Sequence, residues 1–228
     1  MKEGRTRTAV TMILKIAVVI SVIIGVIFSS IASAEVFMSG RTIFMYFTIQ
    51  SNILIGIICL IGLIFLIKGH KSGDGWFLFK FIGTVAITLT GVVFCFILAP
   101  TLADKAWTIQ NILTHVVVPL GAIADFFVMG KEVRIKKRSV FLVMIPPIAY
   151  AIYAITGFIN GWQFGQGRNY PYFFLNWDSP AGAFGFSDEL PFMGCCWWIL
   201  VILIILLGVG YLYLRIIDMI RNGQKHER

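Results

Sequence analysis

Residues 42–67 read TIFMYFTIQSNILIGIICLIGLIFLI, 26 consecutive positions without a charged side chain. A helix of about 20 apolar residues covers the ~30 Å hydrocarbon layer of a bilayer, so this run is long enough to cross one. Five further stretches meet the same requirement, at approximately 9–31, 76–98, 107–129, 140–160 and 192–213. Over all 228 residues, 58% are hydrophobic and only 13% charged, and the mean hydropathy is +0.88. Soluble domains sit nearer 45–50% apolar with about 25% charged, so the excess here must face lipid. That excludes an ordinary soluble enzyme, and the absence of polar low-complexity tracts excludes a disordered chain. A transmembrane β-barrel would show alternating segments of ~10 residues, and none is present. The expectation is an all-α integral membrane protein, a single domain over residues 1–228 built as a bundle of six transmembrane helices.

The net charge of +8, from 19 Lys and Arg against 11 Asp and Glu, suggests nucleic acid until the charges are sorted by loop. Lys2, Arg5, Arg7, Lys15, Lys68, Lys71, Lys80, Lys131, Arg134, Lys136, Lys137, Arg138, Arg215, Arg221, Lys225 and Arg228 fall on one side, and Arg41, Lys105 and Arg168 on the other. Basic residues accumulate on the cytoplasmic side, so both termini are expected in the cytoplasm. Trp76, Trp107, Trp162, Trp197 and Trp198 mark the interfaces. The basic loop at 130–138 is too short for a nucleic-acid-binding module. Contact with anionic lipid headgroups is its expected role. The first apolar run ends at Ala32-Ser33-Ala34, which resembles a signal-peptidase site. The run exceeds a usual signal-peptide core, and an uncleaved helix is expected.

The four cysteines, Cys59, Cys95, Cys195 and Cys196, have neither disulfide-framework nor zinc spacing, and pack as small apolar residues. No repeat of 20–50 residues is present.

Ionisable groups inside a bilayer are costly and so invite a functional question. Lys15, Lys80 and Asp125 lie near the inner ends of their spans, roughly 6–9 Å deep at 1.5 Å per residue. An Asp125 pair with Lys80 or Lys15 follows, or snorkelling lysines in its place. Counted from the outer end of each span, Thr48 lies roughly 9 Å and His115 roughly 12 Å below the surface. Ser51 and Asn52 share the face of Thr48, and Asn111 shares that of His115. A histidine beside a hydroxyl is the minimal nucleophile and general-base pair. Gln50, Asn52, Asn111 or a backbone N–H could then hold an oxyanion or orient the imidazole. The same residues would equally serve as a structural histidine bonded between helices, with Thr48 bonded back to its own helix. His70 and His226 lie outside the spans, so neither a haem nor a multi-histidine metal site has its ligands. No metal or organic cofactor is expected.

The outer loop at 161–191 is the one long connection and is rich in aromatics. Long loops are commonly functional. This one reads either as a cap over the outer pocket, with Tyr170, Pro171, Tyr172 and Asn176 at its centre, or as a belt resting on headgroups.

Three features together resemble a known family. They are Tyr46-Phe47-Thr48 in the second span, Asn111 four residues before His115 with Pro119 beyond it, and Tyr170-Pro171-Tyr172-Phe173-Phe174-Leu175-Asn176 before the last span. The combination resembles the prokaryotic six-helix Pr6Pr membrane proteins, which are similar to the eukaryotic androgen-induced-gene and androgen-dependent TFPI-regulating proteins. The resemblance implies a six-helix intramembrane hydrolase of fatty acid esters of hydroxy fatty acids, with the threonine nucleophile at Thr48 and the histidine base at His115. The last tract departs from the relatives' Tyr-Pro-Phe-Leu-Glu by being longer and lacking the acid, and Asp125 stands roughly where they carry a glutamate in the fourth span. The implied partner is a membrane lipid or lipid-like ester, with no nucleic acid, in the cell membrane, most simply a bacterial cytoplasmic membrane. The rival classes are a carrier or small transporter using His115 and Asp125, and a structural membrane protein. Ten residues along one helix separate those two side chains by roughly 15 Å.

Overall fold

A computed structural model describes residues 2–31, 40–165 and 167–223. The Ala32-Ser33-Ala34 tract, Lys225, His226 and Arg228 lie outside the described residues. Six helices are long and apolar enough to cross a membrane: α1 (Lys2–Ile31), α2 (Phe47–Ile67), α3 (Asp74–Leu102), α4 (Ile109–Val128), α5 (Lys137–Ile159) and α6 (Cys195–Gly223). No strand occurs among the described residues, which hold only two isolated bridges, Gly165 with Arg168 and Phe186 with Met193. Helices answer the constraint that lipid cannot satisfy backbone N–H and C=O groups.

Element boundaries depart from hydropathy at informative places. The second apolar run begins at 42, but α2 begins at Phe47, because Gly40–Met45 forms a 3-10 turn and Tyr46 is extended. Tyr46 is fully buried, and its hydroxyl donates to the Phe164 carbonyl at 2.9 Å, which pins the turn to the outer loop. Thr48 therefore sits in the first turn of α2, and the chain above it is a 3-10 turn and an extended residue in place of continuous α-helix. Pro146 and Pro147 stand inside the fifth apolar run, where a proline pair would ordinarily interrupt a helix. Residues Lys137–Met144 are instead 3-10, and the α-helix starts at Ile145 with both prolines in its first turn, where a missing N–H costs no ladder bond. Two π-turns, Phe94–Leu98 in α3 and Leu113–Val117 in α4, widen those helices where they face one another.

The helix α3 is the most enclosed and packs on α2 and α4, while α1 closes against α2 and α4. The opening turns of α5 lie on α6 and α3. Gly210 permits that approach, since a Cβ there would stand 3.1 Å from Val140 and 3.4 Å from Val143. Outward-facing positions are apolar along whole helices: Ile13, Ile20 and Ile27 on α1, and Leu200, Ile204 and Leu212 on α6 are exposed. Contiguous apolar surface on this scale belongs in lipid. Arg7 pairs with Glu132, and Lys137 approaches Asp218 at 4.0 Å, so the start of α1, the 130–138 loop and the end of α6 share one face.

Candidate active site

At the opposite end of the bundle, the first turn of α2 meets the π-turn of α4. Thr48 and His115 are 4% and 3% exposed, and Thr48 Oγ1 lies 3.4 Å from His115 Nε2. The other ring nitrogen decides the tautomer. His115 Nδ1 is 3.0 Å from the Asn111 carbonyl, which can only accept, so Nδ1 carries the hydrogen. Thr114 Oγ1 donates to the Gln110 carbonyl at 2.8 Å and turns its lone pairs toward Nδ1, 3.0 Å away. Nε2 is left with a lone pair aimed at the Thr48 hydroxyl. The π-turn makes this possible: it advances the imidazole round the helix so that a ring N–H reaches a main-chain carbonyl of its own helix. Phe94, at the head of the other π-turn, stacks on the imidazole with centroids 3.9 Å apart. The close approach of α3 requires Gly91, where a Cβ would come within 2.9 Å of the His115 carbonyl oxygen.

Of the expected supporting residues, Asn52 and Ser51 join the cluster, and Gln50 does not. Asn52 Nδ2 donates to the carbonyls of Thr48 at 2.8 Å and Thr114 at 3.1 Å, bolting α2 to α4. Its amide is thereby spent on structure, and Oδ1 is left without a partner. Ser51 Oγ lies 2.7 Å from Thr90 Oγ1 of α3 and 3.0 Å from the Thr48 carbonyl. Gln50 is exposed and donates to the Phe44 carbonyl at 3.0 Å, away from the site. The Asn111 side chain donates to the Ala106 carbonyl at 2.8 Å, so it is that residue's main chain, not its amide, that orients the imidazole. Asn52 thus spends both amide hydrogens, while Gln50 and Asn111 each anchor theirs on a carbonyl elsewhere and neither bonds Thr48.

The 161–191 loop supplies a roof. Pro171, Tyr172, Phe174 and Leu175 are buried, and Tyr170 and Asn176 are half-buried. Asn176 Oδ1 accepts from the Asp178 N–H at 3.1 Å, a local turn and no part of the site. Tyr172, by contrast, reaches Thr48: the Thr48 N–H donates to its phenolic oxygen at 3.2 Å, and the two hydroxyls are 3.4 Å apart. Burial raises the Tyr172 pKa, and hydrogen bonds with Thr48, the Phe47 main chain and Tyr150 oppose the shift. Beside Thr48 opens an apolar cavity of about 60 Å³, walled by Leu89 and Val93 of α3, Pro147 and Ala151 of α5, and Ile202 and Leu203 of α6, under Tyr172 and Phe174. Phe184 and Phe186, farther along the loop, are exposed.

Phe94, Thr90 and Thr114 were missed from sequence. The two threonines had a signal, being polar positions in the outer halves of spans, whereas Phe94 had none among the chain's 20 phenylalanines.

Near the other face, Lys15, Lys80 and Asp125 form one cluster, all at most 1% exposed. Both lysines, not one, reach the carboxylate: Lys15 Nζ is 2.5 Å from Asp125 Oδ2, and Lys80 donates to the same oxygen. Met129 Sδ is 3.6 Å from Lys15 Nζ and 3.2 Å from Lys80 Nζ, while Asp125 Oδ1 has no partner. The cluster joins α1, α3 and α4, and it shares no hydrogen bond with His115. Among the described residues, no group of three or more His, Cys, Asp or Glu side chains could hold a metal ion.

No family model matches this chain, and no curated protein or solved structure is significantly similar to it.

Proposed function

We propose that this multi-pass membrane protein is an intramembrane hydrolase of lipid esters, of the fatty acid ester of hydroxy fatty acid type, and that it belongs with the six-helix family its motifs resemble. One observation carries the reading: a buried Thr48 hydroxyl 3.4 Å from an imidazole nitrogen whose partner nitrogen is locked as the donor to a carbonyl. An unassisted threonine hydroxyl is a poor nucleophile at neutral pH, and an adjacent general base remedies that. Thr48 Oγ1 bonds to the acyl carbon as its proton passes to His115 Nε2, and the carbonyl π pair moves onto oxygen. Collapse re-forms the carbonyl and breaks the bond to the alkoxide, which takes the proton from His115. Water, deprotonated by the same nitrogen, then releases the acid and restores the threonine.

The apolar cavity beside Thr48 suits the first few methylenes of an acyl chain, and its α5 and α6 walls suggest access from the lipid. In this reading the basic side of the chain and both termini face the cytoplasm of a bacterial cell, the 130–138 loop meets anionic headgroups, and the site opens to the outer leaflet. Asp125, held by two lysines, lends the transporter reading no support.

The test is fluorophosphonate labelling and hydrolysis of a fatty acid ester by purified wild-type, Thr48→Ala and His115→Ala proteins. Both variants should lose labelling and turnover. Labelling that persists in Thr48→Ala removes the assignment, and loss in Ser51→Ala alone moves the nucleophile by one turn.

A further inference from the structure

A tetrahedral intermediate at Thr48 places negative charge on an oxygen two bonds from Oγ1, and something must donate to it. Among the side-chain amides of the region, Asn52 spends both hydrogens on the Thr48 and Thr114 carbonyls, while Gln50 and Asn111 are anchored on Phe44 and Ala106 and neither bonds Thr48. Ser51 is committed to Thr90 and to the Thr48 carbonyl. Tyr150, on the cavity wall, donates its only hydroxyl hydrogen to the Met45 carbonyl at 3.0 Å.

Tyr172 differs. Its phenolic oxygen already accepts from the Thr48 N–H at 3.2 Å, so its own hydrogen is the part left to give, and the reacting hydroxyl is 3.4 Å away. The ring cannot drift, because it stacks on Phe174 at 5.1 Å and stands edge-on to Tyr46 at 5.6 Å. An oxyanion two bonds from Oγ1 can sit about 3 Å from a donor that is itself 3.4 Å from Oγ1, the separation such donors require.

We infer that Tyr172 is a catalytic residue of the outer loop, donating its phenolic hydrogen to the oxyanion formed at Thr48. This rests on the ester-hydrolase reading above. At rest the hydrogen lies toward Thr48 Oγ1, and in the intermediate it turns to the new oxyanion while the Thr48 N–H continues to hold the phenol oxygen. No proton leaves Tyr172, so the balance of the reaction is unchanged. Burial keeps the phenol protonated beyond the ordinary tyrosine range, so the donor persists across any neutral or mildly alkaline assay.

Tyr172→Phe keeps the ring, its stacking and the roof, and removes only the hydroxyl. On a medium-chain p-nitrophenyl ester, with the full chain in detergent micelles, kcat should fall about 10²–10³-fold while KM stays within about threefold. Fluorophosphonate labelling should slow in parallel, since the phosphoryl oxygen uses the same donor, and the thermal unfolding midpoint should hold. A Tyr172→Phe protein as fast as wild type, or faster, overturns the inference; the faster outcome would make Tyr172 a plug that substrate displaces. If Tyr172→Phe loses its unfolding transition, 3,5-difluorotyrosine at 172 keeps the shape and should move the alkaline limb of kcat to lower pH, and an unmoved limb overturns the inference. Activity retained in Thr48→Ala, or a wild type that neither cleaves nor labels, defeats the hydrolase reading itself. Those results are distinct from an active, Thr48-dependent enzyme indifferent to Tyr172.

Discussion

The buried cluster of Lys15, Lys80 and Asp125 carries two ammonium groups on one carboxylate oxygen, and removing one charge at a time should give opposite results. Asp125→Asn keeps the shape but leaves two cations with no anion. Breaking a buried pair from one side costs about 3–5 kcal/mol, and here both ammoniums are stranded, so that range is a lower bound. Lys15→Met is different. At an effective dielectric of about 20, the 2.5 Å contact to Asp125 is worth roughly 7 kcal/mol of attraction. Two ammoniums this close to one oxygen are at most about 5 Å apart, which returns at least roughly 3 kcal/mol of repulsion at the same dielectric. Desolvating an ammonium costs several kcal/mol more. Loss and relief nearly cancel, and methionine fills the stem's place beside Gly62, where a Cβ would lie 3.0 Å from Lys15 Cε. Lys15→Met should therefore be within about 1 kcal/mol of wild type. Thermal unfolding in detergent, read by a thiol-reactive dye at the buried Cys59 and Cys195, should show a fall on the order of 10 °C for Asp125→Asn and a shift of no more than about 4 °C for Lys15→Met. A fall for Lys15→Met that matches Asp125→Asn would refute the charge arithmetic, because it would mean both cations are net stabilising.

Asn52→Ala removes the two hydrogen bonds that bolt α2 to α4, at about 0.5–1.5 kcal/mol each. The unfolding midpoint and the labelling rate should drop together, and an unchanged labelling rate would separate the bolt from the site. Gly91→Ala puts a Cβ 2.9 Å from the His115 carbonyl, and overpacking of this kind costs about 1–3 kcal/mol. Labelling should weaken more than stability does, checked by the two measurements on one preparation. Ala151→Phe fills the cavity between α5 and α6; chain-length preference in an ester series should move to shorter acyl groups while a small fluorophosphonate still labels.

Six spans and the positions of the odd polar residues were legible in the chain, because crossing a membrane is a local demand: each apolar run must satisfy it alone. Thr48 and His115 stood out for the same reason, as polar groups where lipid tolerates few. The depth count that matched them ran one continuous helix from residue 42, whereas the chain there is a 3-10 turn at Gly40–Met45 and an extended Tyr46, which hydropathy does not register. His115 meets Thr48 from within a π-turn in α4, which no local pattern announces. Asp125 was expected to pair with one lysine and holds two, a count that depends on three helices converging. What the residues alone determined was a membrane bundle and a short roster of suspects. Which suspects touch, which amides are already spent, and that Tyr172 of a surface loop rests on the Thr48 amide were decided by packing between segments far apart in sequence, where distances follow from shape and not from composition.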